Sequence, residues 1–288
     1  MAEFNKNTYH DQVNNINTLK LRQMQNTLPK FLRDFFLGIK DTTSTRTRLA
    51  YAYDLRIFFE FIKANNPQYK NKKINEFNIE ILEEITAQDI VEYMDYLSYY
   101  ENEEGDIQTN DERGKQRKLA SLRSMYNYFY KMELISKNPA ALVDFPKLHK
   151  KEIIRLDPNE VKDLLNNIEN GEGLTKKQLE YQNKTKVRDL AIITLLLGTG
   201  IRVSECVGLN LDDIDFKNNG IKVHRKGGAE VVVYFSDEVC AALCDYLEER
   251  RGITTVAGHE DAVFLSMQNR RITVRAVENL VKKYSKLV

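Results

Sequence analysis

The chain has 288 residues, enough for two domains with separate cores, and its 43 basic and 42 acidic side chains leave a formal net charge of +1. A net basic excess therefore cannot recommend nucleic acid as a partner, and any cationic surface has to come from segregation of charge. No stretch approaches the ~20 apolar residues that span a membrane, and the polar, Asn-rich start lacks the apolar centre of a secretion signal, so no membrane partner is expected. Cys206, Cys240 and Cys244 form no metal-ligand pattern. Cys240 and Cys244 fall i,i+4 on a stripe with Val239 and Leu243, and they read as small buried residues of a reducing, cytoplasmic protein.

Residues 1–26 lack strong periodicity and read as a flexible arm or a loosely docked helix. From Leu28 a helical pattern begins, with Leu28, Phe31, Leu32, Phe35, Phe36 and Ile39 on one face. After the polar break Asp41 to Thr45 a longer helix turns Tyr51, Leu55, Phe58, Phe59 and Ile62 inward. Arg46, Arg48 and Arg56 fall elsewhere on its surface. Asn65 to Lys73 is a turn-rich connection. Thr86 with Asp89 three places on forms an acidic capping box for a helix cored by Ile90, Tyr93, Met94 and Leu97. Residues 101–114 are polar and acidic, and read as an exposed loop. The helix from about Glu112 to Glu133 buries Leu119, Leu122, Tyr126 and Phe129. It crowds Arg113, Lys115, Arg117, Lys118 and Arg123 into its first half. Such a charge run is ordinarily a solvated face, yet cations near a helix N-terminus oppose the macrodipole, a mismatch that a bound phosphate backbone would relieve. Asn138-Pro139 ends the helix, so residues 27–141 read as a bundle of four or five helices.

Residues 142–155 contain Pro146, Lys147, His149, Lys150 and Lys151, lack helical periodicity, and read as an extended basic linker to a second domain over 156–288. Asp157, Pro158 and Glu160 open a helix with Val161, Leu164, Leu165 and Ile168 inside. Gly171 to Asn183 is a polar loop. A central helix from about Thr185 to Leu197 then leads into LLLGTGIRVSE at 195–205. Gly198 and Gly200 permit a sharp turn that delivers Arg202 at the start of the next helix, and Glu205, three residues on, shares its face. A fixed guanidinium fork grips phosphate, although an Arg at a helix start taken alone is more often solvated or in a structural ion pair. No Gly-Lys-Ser/Thr follows the glycines, which excludes a Walker loop. Strand patterns follow at 211–216, 221–223 and 231–235, with Arg225-Lys226-Gly227-Gly228 as a hairpin tip. Ser236 or Asp237 caps a helix running to Arg251. Val263-Phe264-Leu265 is a short apolar strand or bend, and the last helix starts at Thr273 with Val274, Val277, Leu280, Val281 and Tyr284 on one face. The fold class is mainly α with a small antiparallel β-sheet (α+β).

With these residues in order, the chain resembles the tyrosine recombinase (phage integrase) family, most nearly its Xer-like bacterial members, over roughly residues 27–288. GTGIRVSECVGLNLDDIDF at 198–216, IKVHRKGGAEVVVYF at 221–235 and VFLSMQNRRIT at 263–273 carry the resemblance, with the helical bundle and basic linker as its core-binding domain and connection. It implies a SAM-like core-binding domain and a mixed catalytic domain that clamp duplex DNA, with other protomers joining a tetrameric synapse, and no metal or nucleotide cofactor. Arg202 matches the arginine that holds the scissile phosphate, Glu205 the acidic residue supporting it, and Lys226 the lysine that protonates the leaving 5′-oxygen. Arg46, Arg48, Lys115, Arg117, Lys118 and Arg123 are the candidate DNA contacts. The family's later His-x-x-Arg and nucleophilic Tyr find no match: His10, His149, His224 and His259 are followed three places on by Val13, Glu152, Gly227 and Ala262. Tyr284 lies on the apolar stripe and is expected to pack the core. The chain is therefore expected to be a shortened recombinase that binds DNA without cleaving it, or alternatively a non-catalytic DNA-binding regulator.

Overall fold

The computed structural model describes residues 8–102, 105–149, 152, 155–225 and 228–288. They fall into two compact units, Met1–Glu152 and Ile153–Val288. The architecture is mainly helical with two small antiparallel sheets. No helix among the described residues is long and apolar enough to cross a membrane.

The first unit opens with α1 (Tyr9–Gln25) over the stretch expected as an arm or loosely docked helix. Thr8 and Asp11 close a capping box on its first turn, Leu21 is buried, and Asn14 Oδ1 accepts the Thr45 hydroxyl at 2.7 Å. The apolar face from Leu28 is buried as expected, but Pro29 defers the helix, so α2 spans Leu32–Gly38. Next come α3 (Thr45–Asn65), the single turn α4 (Ile81–Glu84) and α5 (Ala87–Tyr96), the last opened by the Thr86–Asp89 capping box. In the expected loop 101–114, β1 (Tyr100–Glu101) and β2 (Ile107–Gln108) pair antiparallel, Tyr100 opposite Gln108. Asp111 then caps α6 (Glu112–Lys131) by accepting the Gly114 N–H. α1 and α6 both pack on α3. Phe35, Phe36, Phe58, Phe59, Tyr93, Tyr126 and Phe129 fill the core, in contacts such as the edge-to-face pair Phe58–Tyr93 at 5.1 Å. Each such ring contributes about 1.5–3 kcal/mol through burial, and more through ring geometry.

In the second unit Asp157 and Glu160 cap α7 (Pro158–Asn170), which ends on Gly171 at φ 71°. The expected loop 171–183 contains α8 (Lys176–Gln182), opened by a Thr175–Gln178 capping box and anchored where the buried Gln182 amide donates to Ile168 O at 2.5 Å. α9 (Lys186–Thr199) is the central helix, and packs against α7 on one flank. α10 (Val203–Gly208) follows the glycine turn. The first expected strand is mostly a 3-10 turn, Leu211–Asp213, leaving β3 only Ile214–Asp215. β4 (Gly220–His224) lies between β3 and β5 (Glu230–Tyr234), with Ile221 opposite Val233 and His224 opposite Glu230. α11 (Asp237–Arg251) and α12 (Val274–Tyr284) also pack on α9. Cys206 is buried, and burial pushes its thiol up to about 12, whereas of the two cysteines expected to be buried Cys240 is half-buried and Cys244 exposed.

Candidate active site and cationic face

The site around Arg202 is built by the turn between α9 and α10. Gly200 adopts φ 64°, ends α9 in the left-handed conformation, and returns its N–H to Leu196 O at 3.0 Å. Gly198 sits where a Cβ would lie 2.6 Å from Val239 Cγ2, so α9 can meet α11 this closely only without a side chain there. Arg202 is the N-cap residue of α10, and the backbone there is extended. Glu205 holds it twice: Oε2 accepts the Arg202 backbone N–H at 2.9 Å and Oε1 accepts Nη1 at 2.8 Å. The Glu205 side chain is 4% exposed and that of Arg202 is 63% exposed, so a buried carboxylate braces a guanidinium presented to solvent. Burial alone would raise the Glu205 carboxyl. The Arg202 N–H and guanidinium, with Arg225 adding its charge, outweigh burial and hold it below its usual value.

α10 has only six residues and is kept in place from outside. It packs on β4 and α12. At its C-terminal end Arg271 Nη1 donates to Val207 O at 2.9 Å and Leu209 O at 2.8 Å, and Nη2 donates to Asn210 Oδ1 at 2.5 Å. Arg225 opens the hairpin tip, its N–H bonded to Ala229 O at 2.8 Å. Lys226, singled out from the sequence at this tip, lies outside the described residues. On the flanking strands, Lys222 Nζ is 3.6 Å from Glu230, and His224 Nδ1 is 3.2 Å from it.

Tyr284 is fully buried. Its hydroxyl donates to Asp189 Oδ2 at 3.4 Å, and the Lys283 ammonium sits 4.3 Å from its ring centroid. Burial and the Asp189 carboxylate push its phenol well above the usual value, the opposite of an activated nucleophile. Asp189 also accepts from Arg188, whose Nη1 donates to Leu265 O at 3.0 Å.

In the first unit the six candidate contacts divide. Arg46 is exposed on the first turn of α3. Arg48 is half-buried there, with Nε shielded and without a hydrogen-bond partner. Lys115 is half-buried and donates to Ser98 Oγ at 2.5 Å. Arg117, its side chain 49% exposed, reaches from α6 to the buried Asp54 on α3. Lys118 differs from the expectation: it is 5% exposed, donates to Asn110 Oδ1 at 2.7 Å, and its ammonium is pushed down by burial. The cause is register, since Leu119 and Lys118 both fall on the side of α6 that faces the core. Arg123 is likewise structural, donating to Ala140 O at 3.0 Å and to Val143 O while lying 4.1 Å over the Phe145 ring. Asp54 escaped the sequence reading. The clue was an acid three and four places from Tyr51 and Phe58 on an otherwise apolar face.

The phage integrase family model matches residues 154–288. The tyrosine recombinase XerC of Caldanaerobacter subterraneus subsp. tengcongensis is 37% identical over 268 residues, covering 90% of this chain and 68% of that protein. The XerC of Leptospira interrogans is 30% identical over 266 residues, covering 91% and 74%. Among solved structures, a lambda integrase(75-356) dimer bound to a COC' core site aligns at TM-score 0.58 and 13% identity, over 88% of this chain and 78% of that one. The XerH site-specific recombinase bound to palindromic difH substrate aligns at TM-score 0.58 and 15% identity, over 98% and 81%. At those identities the structural likeness speaks for the fold.

Proposed function

Since this chain belongs to the phage integrase family of tyrosine recombinases, we propose that it binds duplex DNA and offers, around Arg202, the phosphate-gripping part of a strand-exchange site. By family it is a site-specific DNA recombinase. The observation that carries the residue assignment is the exposed guanidinium of Arg202 braced through two bonds by the buried Glu205. A guanidinium fixed in this way places parallel N–H donors on two phosphoryl oxygens. As the phosphorus becomes five-coordinate, charge builds on those oxygens, and donors already in place stabilise it without reorganising.

In the proposed reaction a tyrosine oxygen gives up its phenolic proton and bonds to phosphorus as the bridging bond to the 5′-oxygen breaks, so that one proton is lost at the phenol for the one gained by the leaving oxygen. Lys226 gives that leaving oxygen its proton. The product is a 3′-phosphotyrosyl ester and a free 5′-hydroxyl, and attack by a partner strand's 5′-hydroxyl reverses the step. Other protomers on the DNA supply the second duplex, in a tetrameric synapse. The reading assigns the nucleophile to none of the 288 residues, because Tyr284 is committed to the core and no histidine begins a His-x-x-Arg. The chain as given is proposed to bind and grip without cleaving.

Selection of duplexes by the 288-residue chain, read by gel shift over a salt series, tests this. Enrichment of one short, partly palindromic site with affinity falling as salt rises is expected. Failure to bind any duplex at low salt, in a sample that melts cooperatively, overturns the DNA reading.

A further inference from the structure

Asp54 is 1% exposed on the inner side of α3. Its Oδ2 accepts Nη1 of Arg117, whose side chain is half exposed, and its Oδ1 has no hydrogen bond, with the Lys118 ammonium 3.9 Å away. Burial raises the Asp54 carboxyl in spite of the two cations beside it. A carboxylate on this face is costly twice over. It is desolvated, and it repels any phosphate that Arg117 beside it would attract. Away from a reacting phosphate, where no developing charge has to be met in a fixed geometry, an arginine that only neutralises charge gains nothing from such a neighbour.

An arginine that reads a base gains orientation. Phosphate can be met from many directions, whereas the O6 and N7 acceptors of guanine must be met in plane by two parallel N–H groups. The bond to Asp54 is made through Nη1, so it does not engage the Nε–Nη2 edge, which carries such a pair. One end of the guanidinium is anchored in the core, and the side chain that carries it is half exposed where α6 packs against α3. We infer that Asp54 is a positioning residue which fixes Arg117 as a reader of a guanine edge in the major groove. The inference rests on the first unit binding duplex DNA as proposed above, and it replaces a phosphate role for Arg117 with a sequence-discriminating one. Accepting a like charge beside the DNA weakens attachment to all sequences and sharpens the choice among them.

The test uses the full 288-residue chain with the selected site, the same site changed at one G·C pair at a time, and a scrambled duplex. Arg117→Lys should abolish the preference at one G·C position, a loss of about tenfold or more, while leaving the preferences elsewhere. Asp54→Asn should flatten the same position and bind the scrambled duplex as well as or better than the unchanged chain, because one negative charge has gone. Opposite movement of specific and non-specific affinity is something a purely structural aspartate would not produce. If both variants weaken every duplex by one common factor, or keep every base preference, Arg117 is a phosphate contact and the proposal falls. Thermal melts identify an unfolded Asp54→Asn, and in that case Arg117→Lys, which keeps a cation on the carboxylate, decides the matter alone. If the unchanged chain binds no duplex, the DNA reading fails first and takes this one with it, a result distinct from binding without the base preference.

Discussion

Glu205 uses its two oxygens for two different purposes, one to cap α10 and one to aim Arg202. Because the carboxyl is held below its usual 4.5 in the folded chain, it favours folding at pH values above 4.5, and that contribution fades as pH falls through the lowered folded value. Glu205→Gln should therefore cost about 1.5–3 kcal/mol at pH 7, the range for hydrogen bonds to a charged group. The deficit should shrink in melts taken below pH 4, and a deficit of equal size at both pH values would refute the account. Arg202→Ala leaves the backbone N–H in place and removes the guanidinium, so the Glu205 carboxyl should titrate higher, as followed by carboxyl NMR. This pair was legible from the sequence because both residues lie within one turn. Asp54 and Arg117 were not, because 63 residues separate them and only the packing of α3 against α6 joins them.

At the scale of elements the two glycines before Arg202 serve different ends, and substitution separates them. Gly200 needs its left-handed backbone, and a Cβ there meets nothing within 4 Å. Gly200→Ala should cost about 1–2 kcal/mol whatever its neighbours. Gly198→Ala instead drives a methyl into Val239, for about 1–3 kcal/mol. Adding Val239→Ala should recover part of the Gly198→Ala loss and none of the Gly200→Ala loss, a double-mutant cycle read by thermal melts. Equal recovery in both would show that close packing governs both positions. The capping boxes at Thr86 and Asp157 placed α5 and α7 from sequence alone. The same motif at Thr175 and Gln178 opens α8, but with few apolar residues behind it periodicity gave no support, and the helix depends on a tertiary bond from Gln182. Pro29 shortened α2 although the apolar face continued across it, since burial follows the side chains and helix formation the backbone.

For the molecule as a whole, a formal charge of +1 makes any DNA affinity a matter of where charges stand. Arg46 is exposed, and as a candidate phosphate contact its change Arg46→Ala should lower the slope of log affinity against log salt by about one. Buried Lys118 should behave otherwise. Lys118→Met should leave that slope unchanged and alter stability instead, because its ammonium is committed to Asn110 and Asp54. A slope reduced by Lys118→Met would restore it as a phosphate contact. Which cations remain at the surface did not follow from helix periodicity alone, since Lys118 and Arg117 are neighbours in sequence and opposite in exposure.

The clasp of Arg271 on the end of α10 also sets an order of events during synthesis. A helix of six residues does not hold itself in water, and the carbonyls that finish this one bond to a side chain more than sixty positions later. On the ribosome, the first unit can close its aromatic core while the second is still being made. Arg202 and Glu205 by contrast would be translated well before the residue that steadies their helix. A nascent chain that has emerged only as far as α11 should carry the arginine without its fixed geometry. The grip proposed for Arg202 would then take its final geometry only when the last part of the second unit has left the tunnel.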